Sequence, residues 1–280
     1  LVNLDSEDEG EIFIGCAGGV DTVAKLDYES EEAPEGYAFV RLEIGDLLGG
    51  HSGDDIDKGR ANSNKLMARF LYNAIDKFQV ALAEFNGGNL RNAIPREAYA
   101  IVGVPAAEKE DFEERYLEFG QMLMEEFKHT EPRMRFAVSD VETAPKRVMT
   151  NDELCYFLLA LVGLPNGVLG MSFAMPGLVE TSSNLASVKF NLDEEVITVT
   201  TSQRSSVESA KLYAAQTVES VFYLSGFDAE HSDGYPGWAP NPESKLLTET
   251  VQCYRDLFST EPKVRAIHAG LECGLFLEKY

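Results

Sequence analysis

The feature that most constrains the fold is an order of elements that occurs twice in succession. Over residues 37–127 the periodicity of apolar residues predicts a strand, a helix, two strands joined at an Asn-Gly-Gly turn, and a second helix. The same order follows over residues 133–226, beginning with a strand at 133–142 and including a hairpin across Asp193 and Glu194. Two such units predict an internal duplication, an α+β arrangement in which antiparallel strands form one sheet and helices cover one face.

The flanks of the duplicated region differ from it in character. The first 35 residues are strongly acidic, yet residues 12–20 (IFIGCAGGV) are typical of a strand. Residues 231–244 are rich in turn formers and predict a linker, which leads to a further helix and strand. We therefore predict that residues 36–228 form a module inserted into a partial α/β body, to which residues 1–35 and 229–280 belong.

The charge of the chain restricts its partners. Acidic residues outnumber basic residues by 47 to 24, and the net charge is −23. Such a chain repels phosphate backbones and anionic membrane surfaces, so the sequence predicts neither a nucleic-acid partner nor a membrane partner. The longest apolar run, at residues 155–164, has about half the length that a membrane-spanning helix requires.

The cysteines indicate a redox environment. The chain has four of them, Cys16, Cys155, Cys253 and Cys273. They are far apart, form no Cys-x-x-Cys pair and stand among apolar or small residues, so we predict reduced, buried thiols. Reduced thiols favour a reducing compartment, most simply the cytoplasm. The chain begins without Met and without the pattern of a signal peptide, and we expect it to be a piece of a longer protein.

Two polar positions beside apolar or glycine-rich segments are candidates for chemistry. Asp5 follows the apolar residues 1–4, and a carboxylate at the carboxyl end of a strand is well placed to meet a metal or a substrate. A solvated acidic turn is the alternative, and spacing alone favours it. His51 stands among glycines, where the backbone can approach a ligand and the imidazole can donate to an oxyanion or ligate a metal. A surface histidine in a flexible turn is the alternative.

Two further stretches combine polar side chains with turn residues. Asn92 and Arg96 flank an Ile-Pro pair, where an amide and a guanidinium could clamp a carboxylate or merely close a hairpin. His268, Glu272 and Cys273 follow the last predicted strand. A Cys–His nucleophile pair is conceivable there, although a small buried cysteine is commoner.

Five motifs, in this order and at these separations, carry a resemblance to a known family. They are LVNLDSEDEGEIFIGCAGG (1–19), LLGGHSG (47–53), FNGGNLRNAIPREA (85–98), GYPGW (234–238) and IHAGLECGLF (267–276). Over essentially its whole length the chain resembles the bacterial aminoacyl-histidine dipeptidases, also called Xaa-His or cytosol non-specific dipeptidases. These enzymes belong to the clan of dinuclear-zinc carboxypeptidases and carnosinases.

The resemblance implies a hydrolase of dipeptides, Xaa-His or carnosine-like, in which a catalytic α/β domain holds two zinc ions and an inserted lid closes over the substrate. Asp5 matches a zinc ligand, and His51 matches the lid histidine that stabilises the tetrahedral oxyanion. Asn92 and Arg204 match lid residues that hold the substrate carboxylate. Gly270 matches the glycine loop that lines the substrate pocket. A mobile glycine turn would let the lid deliver His51 on closure.

In the same comparison, the HxD motif, the bridging aspartate, the Glu-Glu pair and the final ligand histidine fall outside the 280 residues. With Asp5 as its one implied ligand, the chain is expected to be a lid-centred fragment of a zinc metallo-dipeptidase, inactive by itself. A non-catalytic lid module and a related deacylase or carboxypeptidase of the clan stay open as alternatives. A homodimer also stays open, and the duplicated lid leads us to expect that His51 acts on the site of its own chain.

Overall fold

The computed structural model describes residues 2–4 and 9–277. The strands are β1 (Glu11–Cys16), β2 (Gly18–Asp27), β3 (Ser30–Glu32), β4 (Tyr37–Gly45), β5 (Gly50–His51), β6 (Ala81–Gly87), β7 (Ala93–Ile94), β8 (Ala98–Pro105), β9 (Arg135–Asp140), β10 (Arg147–Met149), β11 (Gly167–Met171), β12 (Val179–Asn191), β13 (Val196–Ser205), β14 (Asp228–His231) and β15 (Lys263–Ile267). The helices are α1 (Ser63–Phe78), α2 (Lys109–Glu126), α3 (Asn151–Gly163), α4 (Glu208–Leu224), α5 (Lys245–Phe258) and α6 (Glu272–Leu277), with a 3₁₀ turn at Ala106–Glu108.

A nine-stranded antiparallel sheet organises the described residues. Its order is β14-β2-β13-β12-β6-β8-β4-β9, and β11 pairs with β12 beside this path. Separate two-stranded sheets join β3 to β10 and β5 to β7. The strands β1 and β15 form a parallel pair outside the large sheet. The predicted fold class, an antiparallel sheet with helices in an α+β arrangement, is confirmed.

The duplication appears as two halves of the sheet with matching strand order. One half reads β6-β8-β4-β9 and the other β12-β13-β2-β14, and the halves meet where Gly87 of β6 lies opposite Val188 of β12. The expectation that residues 133–142 begin the second unit is wrong. Their strand, β9, pairs with β4 at the edge of the first half. In the second half β2 lies beside β13, just as β4 lies beside β8 in the first half. The sequence does not predict this pairing, because periodicity identifies a strand but not its partner.

Two local expectations need adjustment. Residues 88–97, which include β7, connect β6 to β8, so the predicted hairpin pairs correctly but its connection is longer than an Asn-Gly-Gly turn. The strand predicted at residues 12–20 divides at Ala17 into β1 and β2, which belong to different sheets. The division into residues 1–35, 36–228 and 229–280 stays a prediction. The large sheet itself includes β2, which precedes residue 36.

The helices pack side by side in the order α2, α1, α3, α4. Helix α1 also contacts β4, β6 and β8, and α4 contacts β2, β13 and β14. Aromatic rings fill the layer between the first two helices, where Phe70 of α1 packs against Phe112, Tyr116 and Phe119 of α2. Such pairs contribute roughly 0.5–1.5 kcal/mol each beyond the area they bury. None of the helices in residues 2–4 and 9–277 is long and apolar enough to cross a membrane.

The thiols are free, but their predicted burial is confirmed for Cys16 alone. Cys155 and Cys253 are exposed, and Cys273 is partly exposed. Helix α3 buries Leu154 and Phe157 and therefore turns Cys155 toward solvent. Apolar neighbours in the sequence indicated a buried helix, whereas one face of α3 remains uncovered in the structure.

Lys65 joins the two halves of the helical layer. Its Nζ donates hydrogen bonds to the carbonyl oxygens of Leu161, Val162 and Leu164 at 2.7, 2.8 and 2.7 Å. These carbonyls belong to the last turn of α3, where a helix leaves acceptors without partners and a cation is favourable. Burial lowers the pKa of Lys65 to about 8. The ammonium therefore caps α3 at the cost of its own desolvation.

We expect the effect of Lys65→Met on the free energy of unfolding to depend on pH. The folded-state pKa lies below the ordinary value, so the unfolded chain binds more protons between about pH 8 and pH 10.5. The contribution of Lys65 to the free energy of unfolding should therefore rise by roughly 1–3 kcal/mol across that window. Urea denaturation of both proteins from pH 7 to 10.5 measures the difference. Lys77→Met, on the exposed side of the same helix, is the control. If the free energy of unfolding of wild type minus that of Lys65→Met does not change between pH 7 and 10.5, the prediction is wrong.

Candidate functional site

The loop that carries His51 is fastened at several points. Gly50 and His51 pair with Ile94 and Ala93 through the β5–β7 ladder. The amide of Ser52 donates to the carbonyl of Asn92 at 2.9 Å. Gly49 and Gly50 have φ of 58° and 138°, which favours glycine at both positions. The two segments singled out in the sequence, around His51 and around Asn92, therefore lie side by side.

A buried carboxylate closes the base of this loop. Glu131 is 2% exposed and accepts hydrogen bonds from the amides of Leu48, at 2.7 Å, and Ala61, at 2.9 Å. Inside the loop, Asp55 accepts from the amide of His51 at 2.9 Å and pairs with Arg60 at 3.0 Å. His51 is thus carried on an anchored loop rather than on a free turn.

The imidazole of His51 has a defined hydrogen-bonding pattern. Its Nδ1 lies 3.2 Å from the amide nitrogens of both Gly53 and Asp54, which donate to it. A neutral imidazole that accepts at Nδ1 carries its proton on Nε2. The side chain is 33% exposed. In that neutral form Nε2–H is the donor of the ring, while the Asp54 carboxylate lies 3.5 Å from Nδ1.

Arg204 is the most unusual charged group of the site. It lies near the end of β13 and is 6% exposed. Its Nη1 donates to the hydroxyl of Tyr235 at 2.6 Å, and its Nε lies 3.4 Å from Oγ of Ser52. Within the part of the chain that the structure describes, no carboxylate forms an ion pair with it. A buried cation without a counter-ion is costly, so this guanidinium favours an anionic ligand.

His268 connects the sheet to the loop that follows β15. It is 5% exposed, and its Nε2 lies 2.7 Å from Oγ of Ser182 on β12. Burial, together with the positive charge of Arg204, lowers the pKa of His268 to about 4. The ring is therefore neutral at pH 7. Its partner is Ser182 and not Cys273, so the Cys–His pair considered from the sequence is not formed.

The His51 loop touches this second loop directly. A Cβ added to Gly53 would lie 2.2 Å from the carbonyl oxygen of His268, closer than any side chain could fit. A Cβ on Gly270 would lie 2.8 Å from Cε2 of Tyr235. The two loops therefore close on each other within one chain, with Tyr235 between the glycine loop and Arg204.

Four of the five predicted site residues can be located. His51, Arg204 and Gly270 lie around the contact between the two loops, and exposed Asn92 flanks it through its bond to Ser52. Asp5 falls outside the described residues. The sequence did not single out Ser52, Ser182, Tyr235 and Glu131. Two of them had a signal, since Ser52 lies in the LLGGHSG motif and Tyr235 in the GYPGW motif. No three His, Cys, Asp or Glu side chains among residues 2–4 and 9–277 are grouped to hold a metal ion.

Comparisons with known proteins agree with this architecture. Residues 42–131 match the M20 peptidase dimerisation domain. Over 280 residues the chain is 36% identical to the cytosol non-specific dipeptidase of Escherichia coli strain K12, covering all of this chain and 57% of that protein. The crystal structure of aminoacylhistidine dipeptidase from Vibrio alginolyticus is similar with a TM-score of 0.94 and 38% identity, covering 98% of this chain and 55% of the other.

The fold and these matches make the chain similar to part of a peptidase, in a region that includes a peptidase dimerisation domain. More particularly, it is a close homologue of the cytosol non-specific and aminoacylhistidine dipeptidases, as the five motifs predicted. The chain spans just over half the length of either relative.

The buried His268 should make stability depend on pH. Because its folded-state pKa is lowered to about 4, the unfolded chain binds the additional proton between pH 6.5 and 4. The contribution of the neutral ring is complete above pH 6.5 and should fall by roughly 3 kcal/mol as the pH drops to 4. We expect the free energy of unfolding of wild type minus that of His268→Gln to follow this course in chemical denaturation. The same substitution at exposed His129 is the control, and parallel pH profiles for wild type and His268→Gln would refute the assignment.

Proposed function

We propose that the chain is the lid, with part of the catalytic body, of a metal-dependent dipeptidase that hydrolyses Xaa-His or carnosine-like dipeptides. The observation that carries the proposal is the buried guanidinium of Arg204, which faces the His51 loop without a carboxylate partner among the described residues. A substrate with a free C-terminus supplies the missing charge. The names of the relatives, both dipeptidases, support the same substrate class.

Arg204 and Asn92 are proposed to hold the C-terminal carboxylate. The guanidinium has donors left over after its bonds to Tyr235 and Ser52, since it carries five N–H groups. Asn92 is exposed beside the same loop, where its amide is free to reach a ligand. Gly270 is proposed to line the pocket, at the point where its missing side chain leaves room for Tyr235. A site of this kind selects short peptides, because the carboxylate must lie close to the scissile bond.

His51 is proposed to stabilise the oxyanion that forms at the scissile carbonyl. Its Nδ1 is occupied by two amides, so Nε2–H is the group available to donate. A donor held in place before the reaction stabilises developing charge more effectively than water does. The bonds of Glu131 and Asp55 to loop amides support this role because they hold the backbone that carries His51, and the amides of Gly53 and Asp54 contact the ring itself.

Zinc is the proposed metal, and Asp5 is the ligand that this chain is proposed to supply. The described residues hold no group of three ligands, so nothing in the geometry of the loops is derived through a metal. When bound in the complete enzyme, zinc would supply an activated water and polarise the peptide carbonyl. The residues of this chain then have two tasks, orienting the carboxylate and donating to the oxyanion. Removal of metal by chelation and restoration by zinc is the direct check.

The proposal extends to the cell and to the assembly. We infer a cytoplasmic protein, supported by the name of the E. coli relative. We also infer a homodimer, supported by the match to a dimerisation domain and by a face without charge. Residues 154–178 contain no charged side chain, although the net charge of the chain is −23. Tyr156, Leu159 and Phe173 in this segment are exposed, so two copies could meet there with little repulsion.

Arg204→Ala, made in the complete enzyme, should chiefly raise KM. The lost contact is a charge-assisted hydrogen bond worth roughly 1.5–3 kcal/mol, or about a 10- to 150-fold change. Amidating the C-terminus of the dipeptide should cost the wild type a similar factor and cost the variant little. Steady-state kinetics with both substrates measures this, with Arg115→Ala, an exposed arginine on α2, as the control. Equal losses from amidation in wild type and Arg204→Ala would show that Arg204 does not bind the carboxylate.

We expect His51 to act on the site of its own chain, because Gly53 already packs against the carbonyl of His268 in the same chain. His51→Ala should lower kcat by roughly 10²–10³ with little change in KM. Mixing this variant with Asp5→Ala of the complete enzyme should not restore activity. Action across a dimer would assemble one intact site in each mixed dimer, so recovered activity would contradict the prediction. Sedimentation of the same mixture determines whether the copies associate at all, and a monomer would exclude the proposed homodimer.

A further inference from the structure

Three hydrogen bonds, two with Gly19 and one with Lys211, hold the backbone of Tyr235. Its amide donates to the carbonyl of Gly19 at 2.8 Å, and the amide of Gly19 donates to the carbonyl of Tyr235 at 3.0 Å. The same carbonyl accepts from Nζ of Lys211 at 2.8 Å. Lys211 is buried and lies on α4. The connection between β14 and α5 is therefore held against the sheet at the residue that reaches Arg204.

The ring of Tyr235 is confined by two glycines. A Cβ at Gly19 would lie 2.6 Å from ring atom Cζ, and a Cβ at Gly270 would lie 2.8 Å from Cε2. Both distances are shorter than real Cβ contacts, so the ring occupies space that any side chain at these positions would need. The ring therefore packs directly against the backbone at Gly19 and at Gly270. The hydroxyl is consequently aimed at one place, the Nη1 of Arg204 at 2.6 Å.

A phenol differs from a carboxylate as a partner for arginine. Both accept a hydrogen bond from the guanidinium, but a neutral phenol leaves the positive charge uncompensated. Ser52, the other partner, is also neutral and lies 3.4 Å from Nε. Arg204 is thus oriented by two hydroxyls while its charge remains available. This arrangement suits a group that must bind an anionic ligand rather than stabilise the fold.

We infer that Tyr235 is a positioning residue that orients the guanidinium of Arg204 for the carboxylate of the substrate. The inference rests on the proposed role of Arg204 and adds the residue that sets its geometry. Tyr235 does not touch the reacting atoms in this scheme. It acts through Arg204, and its hydroxyl is the part that matters.

Tyr235→Phe in the complete enzyme tests the inference, because phenylalanine keeps the ring between Gly19 and Gly270 and removes only the hydroxyl. We expect KM for a dipeptide with a free C-terminus to rise roughly five- to twentyfold, with kcat within about twofold of wild type. For the C-terminal amide, KM should differ little between variant and wild type. In the Arg204→Ala background, Tyr235→Phe should add nothing, since a residue that acts through Arg204 cannot act without it.

Tyr99→Phe is the matched control, because the Tyr99 hydroxyl also accepts a hydrogen bond, from Asn86 at 3.0 Å, yet lies on the first half of the lid. It should leave KM unchanged for both substrates. Equal effects of Tyr235→Phe on the acid and the amide, or no effect on either, would overturn the positioning role. If Arg204→Ala still discriminates acid from amide as strongly as the wild type does, the proposed function of Arg204 fails and this inference fails with it. If Arg204→Ala no longer discriminates the acid from the amide but Tyr235→Phe discriminates them as the wild type does, the role of Arg204 stands and only the positioning role of Tyr235 is overturned.

Discussion

The approach of residues 234–238 to the start of β2 is the contact on which the site depends. A Cβ at Gly18 would lie 2.4 Å from the amide nitrogen of Gly237, and one at Gly19 would meet the ring of Tyr235. The absence of side chains there lets two backbones run in contact, with Gly19 and Tyr235 paired in both directions. This approach brings the Tyr235 hydroxyl to Arg204, near the end of β13.

In the same region, Arg204 has no carboxylate partner among the described residues, although the chain is strongly acidic. The protein carries 47 acidic side chains, yet the neighbours of Arg204 are hydroxyls and the neutral ring of His268. Arg204 itself helps to keep that ring neutral, since a second positive charge nearby would be unfavourable. The acidic residues of this part of the molecule have other partners: Glu131 holds two backbone amides, and Asp55 pairs with Arg60. Within residues 2–4 and 9–277, these local partners account for the absence of an ion pair between Arg204 and a carboxylate.

The two halves of the sheet have the same strand order but carry helices with different surfaces. The first half carries acidic α2, whereas the second carries α3 and the uncharged residues 154–178. Lys65 ties the halves together by capping α3 from α1. One half can therefore remain strongly hydrated while the other offers an apolar face, and both share a single sheet.

The sequence by itself determined the elements and the position of the histidine loop. Periodicity located the helices α1 to α4 and the hairpin of β12 and β13, because burial on one side imposes a local pattern on the residues. The glycines around His51 indicated a backbone that other residues rarely adopt, and Gly49 and Gly50 have positive φ. Asp5 and Asn92 stood out by their positions beside apolar and turn residues, whereas Arg204 and Gly270 came from the resemblance to known dipeptidases.

Only the tertiary structure decided which strands pair and which side chains converge. The partner of β13 is β2, from the far end of the chain, because the sheet selects partners by long-range hydrogen bonding that local periodicity does not encode. Ser52 and Tyr235 reach Arg204 across 152 and 31 residues. The lowered pKa of His268 likewise arises from burial and from the charge of Arg204, which exist only once the chain is folded. Sequence therefore set the local conformations, and tertiary contact set the chemistry, since charge, burial and hydrogen bonding depend on neighbours in space.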